Sequence, residues 1–189
     1  MESGFAAMAI SAISERAGIA AGTIYRYFPS KIGLLRDLIK LIADEDVEAL
    51  KSAANTAPGP LSALAAAILN FALRSLARRQ LMVALITGPV EPDLEAMRMS
   101  YRQVLTDQFE KLIRRAVDSG QLTDPNAACC APALISVLTD GLIAKLASIP
   151  PGDSAKARFE IQQLAVFALR GLGVTDARAR GLVVACSPD

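Results

Sequence analysis

Ser14-Glu15-Arg16-Ala17-Gly18-Ile19-Ala20-Ala21-Gly22-Thr23-Ile24-Tyr25-Arg26-Tyr27-Phe28-Pro29-Ser30-Lys31 reads as two short helices joined by a glycine turn. Ile10 to Ala17 is the first, stopped by Gly18, which turns the chain without a Cβ penalty. Ala21 to Phe28 is the second, stopped by Pro29. Aromatic and basic side chains crowd onto that second helix. Two helices at a tight turn, the second rich in groups that reach bases and phosphates, form the outline of a helix-turn-helix element that reads duplex DNA.

Working outward, Ser30 can cap a long third helix from Lys31 to about Ala54, with Leu35, Leu38, Ile39 and Ile42 on one face. Pro58-Gly59-Pro60 breaks the chain. Helices are then expected over Leu61 to about Ala77, from Arg78-Arg79 to near Thr87, and from Pro92 to about Ser119. In the last of these Leu94, Met97, Tyr101, Leu105, Phe109 and Leu112 form an inner stripe. Asp124-Pro125 looks like a cap followed by proline at the first helical position. The helix beyond it, to about Ile149, is expected to kink at Pro132. Ala155 to Leu172 and Asp176 to Ala185 complete an all-α chain with almost no strand signal.

Composition narrows the function classes. The chain is 52% hydrophobic and 21% charged, enough to bury a core and too apolar for large-scale disorder. Net charge is only +1, so a whole-chain basic footprint is absent. The first forty residues hold five basic residues (Arg16, Arg26, Lys31, Arg36, Lys40) against three acidic ones, a weak positive bias. Histidine is absent, which removes the commonest general base and metal ligand. No Ser/His/Asp or Cys/His arrangement can form, and an enzyme is the least supported class. Cys129, Cys130 and Cys186 have no metal-ligand spacing, so no metal or cofactor is expected, and an odd number suits a reducing cytosol. Vicinal Cys129-Cys130 reads as small buried residues or as a thiol sensor. No secretory signal opens the chain. Asn126 to Ala144 approaches spanning length, but Pro132 and Asp140 interrupt it, and a buried helix explains it as well.

The head resembles the TetR family of bacterial transcription regulators. The resemblance is carried by Gly4-Phe5, Ile10, Ile13, Glu15-Arg16-Ala17-Gly18-Ile19, Gly22-Thr23-Ile24-Tyr25-Arg26-Tyr27-Phe28, Pro29-Ser30-Lys31 and Leu34-Leu35. It covers about the first 45 residues and implies a DNA-binding domain over residues 1–45 and a ligand-binding and dimerisation domain over 46–189. It implies DNA contacts from Thr23, Tyr25, Tyr27 and Lys31, with Ser11 as a further candidate. Gly22 sits at the start of the reader helix, and Arg26 supplies charge. Tyr25 also reads as core packing, and Glu15 with Arg16 as a solvated pair.

Two departures from the family pattern matter. Ala20-Ala21 stands where a serine usually precedes the reader helix, and Met8-Ala9-Ile10 where a threonine usually opens the first one; losing a polar cap costs about 1 kcal/mol. The resemblance also implies a helix ahead of Gly4-Phe5, where three residues stand. The chain is therefore expected to lack native N-terminal residues. Ile13, Ile24 and the inner face of the third helix are expected to lose their cover, worth several kcal/mol at about 25 cal/mol per Å2.

For the body, the resemblance implies a small-molecule site between the middle helices. Phe71, Met82, Leu85, Ile86, Met97, Tyr101 and Phe109 supply an apolar lining, with polar options at Ser136, Thr139 and Asp140. Each of these also reads as ordinary core. The expected function is a cytoplasmic bacterial repressor, released from a palindromic operator by a mainly apolar effector. It is expected to act as a homodimer through the apolar helices at about 125–149 and 155–172, with no membrane partner. The alternative is a helical small-molecule-binding protein that has lost DNA binding.

Overall fold

The structure, a computed structural model, describes residues 10–87, 92–123, 126–149 and 153–187, apart from the side chains of residues 11, 84–87 and 143–148. Among the described residues there are nine helices and no strand: α1 (Ile10–Ala17), α2 (Ala21–Tyr27), α3 (Lys31–Asn55), α4 (Pro60–Ala77), α5 (Arg79–Thr87), α6 (Pro92–Asp118), α7 (Ala127–Ser148), α8 (Ser154–Gly171) and α9 (Asp176–Cys186).

Local chemistry sets most of the boundaries. At the end of α1, Gly18 adopts φ +66°, the left-handed region that favours glycine. Ile19 N–H donates to Ser14 C=O at 3.0 Å and Gly18 N–H to Glu15 C=O at 3.3 Å. This paired closure satisfies carbonyls that the helix end leaves open, and the same pattern closes α6 at Gly120. Ser30 caps α3, its hydroxyl accepting from Gly33 N–H at 3.0 Å. The start of α7 differs from expectation. Asp124-Pro125 lies outside the described residues, and the helix begins at Ala127, where Asn126 Oδ1 accepts from Cys129 N–H at 3.3 Å. Asparagine is as good a cap as aspartate, so the helix starts where this side chain can fold back. Pro132 sits inside α7 without ending it.

The body is built around α4, which touches α3, α5, α6, α7, α8 and α9. Leu61, Leu64, Ile68, Leu69 and Phe71 of α4 are buried almost completely. Phe71 meets Phe109 of α6 edge to face, with ring centroids 6.5 Å apart, the orientation that aromatic quadrupoles favour. Glycine at the start of α4 offers no side-chain cap, and Gln121 from beyond α6 supplies one, its Oε1 accepting from Leu61 N–H at 2.9 Å. Among the described residues α4 alone is long and apolar enough to cross a membrane; its burial in the middle of the body marks it as the core helix.

The expected division at residues 45 and 46 falls inside α3. From Leu35 onward the inner face of α3 (Ile39, Ile42, Leu50) belongs to the body's core, so what stands apart is α1 with α2. Burial in this head is mixed. Ile24 (4% exposed) and Leu35 (3%) are covered, contrary to the expected loss, while Ile13 and Phe28 are half-buried and Ile19 is 45% exposed.

Candidate functional site

The head carries one candidate surface. Ile24 is the buried residue of α2, and it turns the rest of the helix outward. Tyr25 and Tyr27 are 52% and 68% exposed, so the core-packing reading of Tyr25 does not describe its position. The Arg26 guanidinium lies 5.2 Å from the Tyr27 ring centroid, a cation–π contact that holds both side chains on the open face. Gly22 is exposed with open space where a Cβ would stand, and Thr23 is half-buried. Lys31 opens α3, half-buried, just past the Pro29-Ser30 turn. Ser11 lies on α1, its side chain outside the described residues. Glu15 and Arg16 are both exposed. At Ala20 the backbone has the extended conformation of a cap (φ −66°, ψ 140°), but no side chain there accepts a hydrogen bond.

In the body, a cleft of about 180 Å3 opens between α3, α5, α6 and α7. It is lined by Ile39, Met82, Glu95, Arg98, Met99, Tyr101, Arg102 and Thr139. Three of the expected pocket residues, Met82, Tyr101 and Thr139, stand on its wall. Phe71, Met97 and Phe109 are packed in the core instead, because the α6 stripe they join or face is turned against α4. Leu85 and Ile86 lie on α5, their side chains outside the described residues. Ser136 and Asp140 hold Arg102: Arg102 donates to Ser136 Oγ at 2.8 Å, and its guanidinium lies 3.8 Å from the Asp140 carboxylate. The two cysteines next to each other are not both buried: Cys129 is exposed and Cys130 half-buried.

Behind the cleft lies a polar cluster that the sequence reading did not single out. Asp46, 4% exposed on α3, accepts from the Tyr101 hydroxyl at 2.8 Å and from Arg74 Nε at 2.8 Å. Arg78 reaches the same carboxylate at 3.4 Å and also pairs with Glu45. Burial first, then the adjacent Asp46 charge and hydrogen bond, push the Tyr101 phenol well above its ordinary range. Tyr101 thus stands on the cleft wall and grips α3 from behind. A signal was present in the spacing. Ile39, Ile42, Ala43, Asp46 and Leu50 recur at three- and four-residue steps, which places one carboxylate of the Asp44-Glu45-Asp46 run on the inner face.

This geometry joins an exposed aromatic and basic helix to the cleft in the body through one continuous helix, α3. Comparison with known proteins bears on what such an arrangement is. Residues 1–38 match the family model described as bacterial regulatory proteins, tetR family. The chain is 32% identical over 136 residues to the HTH-type transcriptional repressor KstR of Mycobacterium tuberculosis, an alignment covering 64% of this chain and 54% of that protein. The chain spans about half the length of the curated relatives it matches, or less. Among solved structures, RolR in complex with resorcinol superposes with a TM-score of 0.69 at 20% identity, over 97% of this chain and 86% of that one. The regulator FadR of Bacillus subtilis in complex with stearoyl-CoA gives 0.72 at 17% identity, over 87% and 90%. These likenesses extend the shared fold across the body, beyond the residues of the family match. Residues 1–38 are thus similar to the bacterial regulatory proteins of the tetR family, and the rest of the described chain shares its fold with solved regulators.

Proposed function

We propose that this chain is a DNA-binding transcriptional repressor that leaves its operator when a small, mainly apolar effector enters the α3–α5–α6–α7 cleft. The observation that carries this reading is α3 itself. Its N-terminus, at Lys31, follows the reader helix, and Ile39, two turns on, forms part of the cleft wall. A ligand that displaces Ile39 or Tyr101 therefore bears directly on the helix that aims α2. Gly22, Thr23, Tyr25, Arg26, Tyr27 and Lys31, with Ser11, are the proposed DNA contacts. Thr23 would meet a base edge or a thymine methyl, the tyrosines and the cations phosphates.

The proposed working form is a homodimer in the bacterial cytoplasm. Phe159 and Phe167 of α8 are 56% and 61% exposed, and α7 leaves Ala128, Pro132 and Ala133 open. Apolar side chains on two long neighbouring helices support a two-fold contact there. Such a dimer would present two reader helices about 34 Å apart, one turn of duplex. An effector coupling of about 1–3 kcal/mol is enough to shift occupancy. The two neighbours of the same fold that hold resorcinol and stearoyl-CoA support small-molecule binding in the body.

Electrophoretic mobility shift on the promoter region nearest the gene tests the reading. A sequence-specific shift is expected, reduced by Tyr27→Ala. The uncapped Ala20 favours one competing reading, a ligand-binding protein that no longer grips DNA. Ligand binding without any specific shift would establish that reading in place of the repressor.

A further inference from the structure

We infer that the effector cleft recognises an anion: a compact, ring-sized apolar body carrying a carboxylate, held by Arg98 and Arg102. The inference rests on reading this cleft as the effector site and goes beyond it in naming the charge and the residues.

Arg98 and Arg102 stand one turn apart on α6, so both guanidiniums face the same cleft. Each has an acidic neighbour, and in both pairs the cation is the more withdrawn partner. The Arg98 side chain is 12% exposed against 49% for Glu95, at 3.2 Å. The Arg102 side chain is 33% exposed against 61% for Asp140, at 3.8 Å. Asp140 can rotate into water at little cost, because part-exposed ion pairs gain little from being closed, and the half-exposed Glu95 can turn outward once an anion takes its place against the more withdrawn Arg98. The guanidiniums cannot follow them without leaving α6's packed face. An incoming carboxylate can therefore take the place of either acidic side chain and meet a planar fork of donors, which suits it geometrically.

Apart from Thr139, whose hydroxyl donates to Ile135 C=O at 2.8 Å, the remaining wall is apolar. Ile39 and Met82 are 5% and 3% exposed, and Tyr101 presents its ring while its hydroxyl is engaged by Asp46. A cleft of about 180 Å3 is small for a ligand site. It is comparable with a cavity of about 150 Å3 that accepts benzene, which sets the size of the apolar body.

Isothermal titration calorimetry of the full chain with benzoate and benzyl alcohol tests this without DNA. Benzoate is expected to bind at least about tenfold more tightly than the alcohol, the lower end for hydrogen bonds to a charged group. Arg102→Gln, at a part-exposed position, is expected to erase that preference, so that the two compounds bind alike. Asp140→Asn removes the competing carboxylate and is expected to tighten benzoate about two- to fivefold. Equal binding of the two compounds, binding of neither, or a preference that survives Arg102→Gln overturns the inference. Failure here with an effector-sensitive DNA shift intact leaves the repressor reading standing. Selective carboxylate binding with no specific DNA shift does the reverse.

Discussion

The helices α4 and α2 end in opposite circumstances. Of the eighteen residues of α4, ten are buried; of the seven of α2, Ile24 is buried. Both start without a cap of their own, but Gln121 reaches across sixty residues to cap α4, whereas nothing caps Ala20. α4 has six helical neighbours, and α2 packs mainly against α1. A body built this way holds itself together. The head instead leaves two tyrosines and an arginine in solvent, a poor use of large side chains for stability and a suitable one for meeting a partner. Stability and recognition are thus carried by different ends of the molecule, and α3 is the member they share.

The largest expected effect tests the body. Phe71→Ala removes half of the edge-to-face pair with Phe109 and opens a cavity under α4; about 4 kcal/mol of unfolding free energy should be lost in urea titration. The loss would leave the α2 surface untouched, so the DNA shift should persist where the variant remains folded. Next is Asp46→Ala. It leaves Arg74, Arg78 and the Tyr101 hydroxyl without their shared acceptor, at a cost of about 3 kcal/mol by the same measurement. This variant should also blunt effector response, because Asp46 ties α3 to the cleft wall.

Tyr101 adds a pH signature to that pair. Its phenol is held protonated in the fold, whereas in the unfolded chain it titrates near 10.0. Above that pH the unfolded chain releases a proton that the folded one keeps, so stability falls as pH rises through 10. Below it the group is protonated in both states and contributes no slope. Tyr101→Phe should flatten the fall in urea midpoint between about pH 9 and pH 11. An unchanged slope would break the assignment of Tyr101 to the buried cluster.

Much of this fold was legible because local chemistry decides it. The α6 stripe of Leu94, Met97, Tyr101, Leu105, Phe109 and Leu112 is buried throughout, as its spacing requires. Gly18 and Ser30 mark ends whose hydrogen bonding is satisfied within a few residues, and the Pro58-Gly59-Pro60 break separates α3 from α4 as its composition requires. The cleft was less legible. Buried apolar residues on α4 and α6 share one composition, and only the rotation of α6 decides that Tyr101 faces the cleft while Phe109 faces Phe71. Arg98 and Arg102 lie off the inner stripe of α6 on helical period, and a wheel does not show that α7 leaves a cleft beside them. The Asp46 cluster depends on partners 28, 32 and 55 residues away, a separation that no local pattern encodes.

A smaller effect separates recognition from stability directly. Tyr27→Ala removes a side chain 68% exposed, so the unfolding free energy should stay within about 0.5 kcal/mol of the parent. DNA affinity in the mobility shift should nevertheless drop about tenfold, the size of one lost hydrogen bond to a charged phosphate. Stability falling with affinity would return Tyr27 to the structural half of the comparison.

The smallest expected effect asks why the head is so lightly held. Ala20 already has the extended backbone of a cap, so Ala20→Ser needs no rearrangement. Its hydroxyl could accept from the N–H of Gly22 or Thr23 and stabilise α2 by about 1 kcal/mol. Amide hydrogen exchange over residues 21–27 should slow about fivefold, while exchange across α4 stays unchanged, because α4's protection comes from burial. If loose order of α2 also limits DNA binding, affinity should rise by a similar factor, since ordering would no longer be drawn from the binding energy. Slower exchange without tighter binding would show that the uncapped start costs the head stability but not grip. The difference between α2 and α4 would then lie in burial alone.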